Sequence, residues 1–568
     1  MSQEAIRKVI EGILSEMGIS DVAVHLDQPN NPSHGDLATN VALTLASAVG
    51  KSPRTIAEEI ASHIKVGEFG IQAVEVAGPG FLNFKLSTDQ VVTVLMDIIV
   101  EQDGYGRSDD GKGRKFMVEF VSANPTGPLH LGHGRQGALG DAIAGLLEWN
   151  GWSVGREYYY NDAGAQIDRL GESVWARYQQ YLGEEIDLPE GGYQGEYVIK
   201  IAEKFAAEYG DRFKGDNSQK PLDLMKRTAI RIIRDEQDKD LSDFRIDFDV
   251  YFLESSLYEN GQVESTVEAL KKAGHVYDKD DAVWLRTTEF GDQKDRVMIK
   301  RDGSPTYFLP DVAYHIDKWN RGFYQVVNVQ GADHHGTIAR VQAGLQALGL
   351  PEGYPDYVLH QMVRVERDGK DVKLSKRSGS YITLRELMTE VGVDVTRYFF
   401  QMRKPEGHLV FDLDLALDQS DKNPVYKIQY AHVRMCSIFR KAGIERDNLI
   451  AENVDLSVLD TKAERELIKQ LSHFPELIRR AARLRAPHIM CDYLEETAGA
   501  VNSWYHAGNP NRNPELAVLV SDSDLRNARL VLARAIQIVL YNGLSILGIV
   551  APERMFRDSD TAVHSTNR

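Results

Sequence analysis

Apolar residues recur every three to four positions at the start of the chain. Ile6, Val9, Ile10, Ile13, Leu14 and Met17 fall on one face of a helix. Ser52-Pro53 marks another helix start, with Ser as cap and Pro in the first turn. The stretch IQAVEVAGPGFLNFKL then alternates, which predicts two strands around a Gly-Pro-Gly turn. Together these elements make a small α/β unit. EQDGYGRSDDGKGRK follows, rich in Gly and charge, and reads as a linker.

KFMVEFVSA reads as a buried strand. It runs into Asn124-Pro125 and Gly127-Pro128, a rigid loop, before helical spacing resumes at Leu139, Ala142 and Leu146. Strand, tight loop and helix in that order open a Rossmann-type nucleotide fold. Residues from about 165 to 290 are acidic, Tyr-rich and helical in period, and read as insertions. Strand patterns resume at QVVNVQG and YVLHQMVRVE. Farther on, Leu467, Leu471, Phe474 and Ile478 predict one helix face. Leu525, Ala528, Leu532, Ile536 and Val539 predict another, with Gly543 as its C-cap. That region is a helical bundle, and RDSDTAVHSTNR reads as a frayed tail.

The chain's 568 residues exceed one core, at about 100–200 residues per domain. The pattern divides them into a small α/β N-terminal domain (1–105), an α/β Rossmann-type nucleotide-binding catalytic domain with insertions (106–420), and an all-α C-terminal bundle (421–568). No apolar run approaches the roughly 20 residues of a membrane helix. Glu4, Glu11 and Glu16 interrupt the N-terminal apolar pattern, against a signal or transit peptide. The expected location is the cytoplasm, with no membrane partner. Cys436 and Cys491 lack metal-ligand spacing, so neither a disulfide framework nor a metal site such as structural zinc is expected. A net charge of −18 counts against nucleic acid as a partner. It leaves room for local basic strips on an acidic protein.

The chemistry concentrates in SANPTGPLHLGHGRQGALGD, where two motifs overlap. Gly132, Gly134 and Gly137 spell G-x-G-x-x-G, but a dinucleotide loop needs its first Gly directly after the strand. Here the strand ends near Val121 and two prolines intervene. His130 and His133 spell H-x-G-H, which puts two imidazoles on one face of a starting helix turn. Free amides there attract phosphate, and imidazoles can donate to a phosphoryl group as charge develops. Gly132 leaves room for a nucleotide, and Pro128 fixes the turn. Downstream, KLSKRSG places Lys373, Lys376 and Arg377 in a cationic loop suited to a triphosphate.

With these two elements in place, the sequence resembles a class I aminoacyl-tRNA synthetase. His130-Leu131-Gly132-His133 matches the HIGH signature, and Lys373-Leu374-Ser375-Lys376-Arg377 matches KMSKS with Arg for the final Ser. VEFVSANPTGPLHLGHGR, YYYNDAGAQ, KDRVMIKRDGSPTYFLPDVAYH, VQGADHHG, YAHVR and LGIVAPERM resemble arginyl-tRNA synthetases of the bacterial type.

The resemblance implies arginine activation by ATP, with Mg²⁺ on the phosphates and no organic cofactor, then transfer to the 2′-OH of tRNA(Arg). It implies His130, His133, Lys373 and Lys376 as catalytic residues. Pro128, Gly132, Gly134, Asp333, His334 and Ser375 would lie along ATP. Glu119, Asn124, Tyr307 and Asp311 would hold L-arginine, the last two spaced for one helical face. Tyr430, Arg434 and Tyr541 are candidate tRNA contacts in a helical anticodon-binding domain, and a monomer is expected. Three other readings compete: a small-molecule adenylyltransferase, a non-catalytic RNA-binding relative and an NAD-dependent oxidoreductase. The long helical region argues against the first and the paired signatures against the second.

Overall fold

The computed structural model describes residues 2–555 other than 21, 28, 30–33, 87, 163, 307, 373–381, 447, 448, 450 and 510. The N-terminal unit comprises α1 (Ser2–Glu16), β1 (Leu37–Thr39), α2 (Val41–Val49), α3 (Pro53–His63), β2 (Ile71–Ala77) and β3 (Phe81–Leu86). Its antiparallel sheet runs β1-β3-β2, and residues 78–80 form the expected turn. Ser52 accepts a hydrogen bond from the Thr55 amide and Pro53 sits in the first turn of α3, as the local residues dictate. Ile6, Ile10, Ile56, Ile60 and Phe84 close a separate core.

The next elements are α4 (Thr88–Glu101), β4 (Lys115–Glu119), α5 (Leu131–Trp149), β5 (Ser153–Tyr160), α6 (Ala165–Tyr181), α7 (Glu196–Tyr209) and α8 (Gln219–Asp243). They are followed by β6 (Val250–Leu253), α9 (Glu254–Glu259), α10 (Gln262–Lys272), β7 (Val276–Lys279), β8 (Ala282–Leu285) and β9 (Arg296–Ile299). Then come α11 (Phe308–Asn320), β10 (Val326–Gly331), α12 (His335–Ala347) and β11 (Asp356–His360). Five strands form one parallel sheet in the order β11-β10-β4-β5-β6. The order reverses between β4 and β10, so a crevice opens beyond the carboxyl ends of those strands.

Helices α6, α7 and α8 close a core of their own around Tyr178 and Phe205. β6, inside the stretch expected as an insertion, is instead the edge strand of the central sheet. It is four residues long and half exposed, too short and too polar in setting to show a buried-strand pattern.

β12 (Val363–Arg367), β13 (Lys370–Asp371), α13 (Leu384–Val391), α14 (Val393–Gln401), β14 (Leu409–Asp412) and α15 (Leu413–Leu417) lead into the helical region. That region holds α16 (Pro424–Ala442), α17 (Lys462–Ser472), α18 (Phe474–Leu484), α19 (His488–Ala507) and α20 (Ser523–Ile546). The apolar face from Leu467 to Ile478 is divided between α17 and α18, because Pro475 opens a new first turn. Gly543 is not a cap but an interior residue of α20, where a Cβ would come within 2.6 Å of Leu494. The stretch expected as a linker is packed. Tyr105 is buried and its hydroxyl donates to Leu471 O, while Gly106 lies against Phe474 and Ile478. α4 packs on α17 and α20, within the core shared by the central sheet and the helical bundle. Cys436 and Cys491 are buried free thiols.

Candidate active site

α5 begins at the crevice. His130 is its N-cap in extended conformation, and its Nδ1 accepts from the His133 amide at 3.3 Å. His133 Nδ1 reciprocally accepts from the His130 amide at 3.3 Å. Two histidines thus do the work usually done by Ser and Glu in a capping box. The rings stack at 3.6 Å, and a Cβ on Gly132 would come within 2.8 Å of the His130 ring. Burial lowers the pKa of His130, and lowers that of His133 much further, with His130 and His360 adding to the effect. A neutral ring whose Nδ1 accepts carries its proton on Nε2. Each imidazole is therefore a neutral Nε2–H donor at a helix N-terminus.

Pro128 and Gly132 flank the cap on its partly open side. Gly134 faces the other way: a Cβ there would meet Leu384 and Phe400. The absent side chain of Gly134 thus serves packing against α13 and α14. Gly137 lies against Ile246 and Val121 and Gly140 against Phe120, which lets α5 pack closely on the chain that leaves β4. Lys373, Ser375 and Lys376 lie outside the described residues. The chain beyond them returns to the site, with Thr383 bridged to His130 and the Leu384 amide bonded to Leu129 O at 2.8 Å. Asp333 and His334 are exposed at the end of β10, and the Asp333 charge reaches His130 and His360.

On the sheet side the chain turns sharply after β4. Val121 and Ser122 have φ of 67° and 41°, a strained conformation for a β-branched residue. Tyr158 holds the turn by bridging both the amide and the carbonyl of Ala123. Ser122 Oγ donates to Glu119 Oε1 at 3.0 Å, and Lys318 Nζ lies 2.5 Å from Glu119 Oε2. Asn124 donates to Gln166 Oε1 at 2.7 Å. Tyr307 lies outside the described residues, but Asp311, one turn on, is in the first turn of α11. Burial, with Glu119 and Glu254 nearby, pushes its carboxyl up to about 7. The Tyr159 hydroxyl is buried and faces the Glu254 carboxylate, with the Asp311 charge also acting on it. Three carboxylates and a phenol therefore converge at the switch point. Such a pocket suits a planar cation rich in N–H donors.

The same residues fall within known sequence families. The profile of the class I (R) tRNA synthetase catalytic domain matches residues 94–402. An arginine–tRNA ligase from Geotalea daltonii is 50% identical, over 94% of this chain and 95% of its own. The chain belongs to the arginine–tRNA ligase family. A family member from Ralstonia nicotianae is 46% identical over 96% of this chain and 97% of its own. The arginyl-tRNA synthetase of Thermus thermophilus has the same fold, with a TM-score of 0.76 at 24% identity over 98% of this chain and all of its own. Two further profiles complete the family's architecture: the arginyl tRNA synthetase N-terminal domain over residues 2–86 and the DALR anticodon binding domain over 428–555.

Within the DALR region of this ligase-family chain, Tyr430 and Arg434 come together and Tyr541 does not join them. The Arg434 guanidinium lies 4.4 Å from the Tyr430 ring and 5.1 Å from that of Tyr505. Tyr426 stacks on Tyr430 at 5.6 Å, and all three α16 residues line a cavity of about 520 Å³. Tyr541 lines a separate cavity with Arg534, Arg446 and Glu553. Sequence reasoning missed Tyr159, Glu254 and Lys318. Only Lys318 carried a local signal: Asp311, His315 and Lys318 share one face of a helix by their spacing.

Proposed function

We propose that the chain joins L-arginine to tRNA(Arg) in two steps, as a cytoplasmic monomer. The arginine carboxylate attacks the α-phosphate of ATP, giving arginyl-adenylate and pyrophosphate. The 2′-OH of the terminal adenosine then takes the arginyl group and releases AMP. Neither step needs a protein nucleophile, so positioning and electrostatics supply the rate.

His130 and His133 donate Nε2–H to the phosphoryl oxygens as charge builds. Lys373 and Lys376 hold the β- and γ-phosphates, with Ser375 beside them. Mg²⁺ enters with ATP as part of the substrate. Pro128, Gly132, Asp333 and His334 line the ATP side. Asp311 pairs with the guanidinium, with Tyr307, Glu254 and the Tyr159 hydroxyl around it. Glu119 and Asn124 take the amino-acid end. Tyr430 and Arg434 offer a stacking platform and a cation to an RNA base.

The observation that carries this reading is the convergence of Asp311, Glu119 and Glu254 from α11, β4 and the end of β6, at a sheet on which α5 begins with a reciprocal two-histidine cap. The test is aminoacylation of total tRNA with each of the twenty amino acids. Charging by arginine alone is expected; charging by another amino acid, or adenylate formation indifferent to the amino acid, overturns it.

A further inference from the structure

Lys318 is given no role above, yet its pair with Glu119 is the most buried ion pair near the site among the described residues. Lys318 is 0% exposed and Glu119 5%. Lys318 Nζ lies 2.5 Å from Glu119 Oε2 and 3.2 Å from Asn328 Oδ1, and 4.2 Å from the centre of the Tyr314 ring. A pair this buried is costly to desolvate and contributes little net stability. Its position beside a ligand pocket points to a role there.

The hydrogen bonds around it admit one proton arrangement. His315 Nδ1 lies 2.7 Å from Asp311 O. A carbonyl only accepts, so Nδ1 carries the proton. Burial and Lys318 keep this ring well below its ordinary pKa, so it is neutral and its Nε2 accepts. The donor is Asn328 Nδ2, at 2.7 Å. That turns Asn328 Oδ1 toward the Lys318 ammonium, which donates to it and to Glu119. The relay joins the backbone of Asp311 on α11 to the side chain of Glu119 on β4, with every member satisfied.

The charges also balance. Asp311, Glu119 and Glu254 bring three carboxyls together, and Lys318 is the buried cation among them. Counting Lys318 and the three carboxyls alone, two negative charges remain when all are ionised; Arg340 on α12 also acts on Asp311. L-arginine brings two cations, its guanidinium and its ammonium, while its carboxylate is the group that reacts.

We propose that Lys318 is the positioning residue of the arginine pocket: it aims Glu119 through a polarised relay and sets the pocket's charge to match the two cations of the substrate. This rests on the reading of Asp311 as the guanidinium partner. Asp311 is faced by Glu119 from β4, Glu254 from the end of β6, Tyr159 from β5, Arg340 from α12 and Tyr357 from β11, besides Lys318 on its own helix.

The test uses the full chain with tRNA(Arg) present, in pyrophosphate exchange from pH 6 to 9. Lys318→Met is expected to raise the KM for arginine about 100-fold at pH 7. The KM for ATP should stay within about threefold. Because Lys318 holds the Asp311 carboxyl down, its loss should also move the acid limb of arginine binding upward from about 7. Affinity should then recover in alkaline buffer. Lys318→Met with Glu119→Gln removes the unpaired buried charge; this variant should regain thermal stability but not arginine affinity. Equal losses for arginine and ATP, an unmoved pH limb, or a folded double variant with the parent KM for arginine would overturn the proposal. Asp311→Asn run alongside separates the two readings. If it keeps its arginine KM, the pocket assignment fails and this proposal with it. If it loses arginine while Lys318→Met does not, only the role of Lys318 fails.

Discussion

The two ends of the crevice handle charge in opposite ways. At the carboxylate end, full charges are buried and held. Glu119 pairs with Lys318, and Glu157, 0% exposed, accepts from Tyr314 and from two nitrogens of Arg321 at 2.6–3.0 Å. At the histidine end, the two imidazoles that cap α5 are buried rings whose pKa burial lowers. On the proposed assignment of the two ends, the contrast follows from the substrates. A guanidinium keeps its charge throughout, so fixed anions can be built for it in advance. A phosphoryl group redistributes its charge as it reacts, and is best met by preorganised donors that strengthen as that charge builds.

The contrast breaks most sharply at Asp311. Asp311→Asn keeps the shape and removes the charge, and should raise the KM for arginine about 1,000-fold, or about 4 kcal/mol. The KM for ATP should barely move. Steady-state exchange kinetics with each substrate varied in turn give the ratio, and parallel losses would locate the defect in folding.

His133→Ala attacks the other end. It removes one Nε2–H donor and should slow adenylate formation about 100-fold while leaving the KM for arginine near its parent value. Rapid-quench measurement of adenylate decides it. A normal rate would strike His133 from the catalytic residues. Because His133 also completes the cap of α5, a melting curve should accompany the kinetics; a lost cap costs about 1 kcal/mol.

Tyr430→Ala tests whether the α16 platform serves a third site independent of both ends. Loss of one stacked base should raise the KM for tRNA about 30-fold in aminoacylation. Tyr541→Ala, on a separate cavity, is the control. A larger effect at Tyr541 than at Tyr430 would reverse the assignment of the two surfaces.

How far the sequence could be read tracks how local each feature is. The β2–β3 hairpin, the Ser52 cap and the strand into α5 each arise from neighbouring residues, and the pattern predicts them directly. The histidine end is similarly local, since His130 and His133 are one helical turn apart. The carboxylate end is not. Glu119, Tyr159, Glu254 and Asp311 come from β4, β5, the end of β6 and α11, and meet only once the sheet is assembled. β6 itself hides in a polar stretch, and that concealed Glu254. Gly543 misleads for a related reason: its lack of a side chain answers to Leu494 on α19, far off in sequence.

The smallest expected effect sharpens the comparison by pH. Asp311 sits near 7 in the folded chain, well above a free carboxylate, chiefly because of burial and then Glu119 and Glu254. An ionised partner is needed for the guanidinium, so arginine must displace a proton at lower pH. For a single group titrating near 7, the KM for arginine should rise about tenfold from pH 8 to pH 6. ATP should show no matching rise, because burial lowers the pKa of both histidines proposed to face it. Stability of the ligand-free chain runs the opposite way. A carboxyl raised on folding contributes stability fully present below about 4 and lost as pH rises through about 7. The ligand-free protein thus gives up stability in this window, and bound arginine restores it by pairing the charge. The arginine-induced increase in Tm should therefore be larger at pH 8 than at pH 6, at equal and sub-saturating arginine. An increase independent of pH would mean that Asp311 is ionised throughout, and that the carboxylate end carries its full negative charge before arginine arrives.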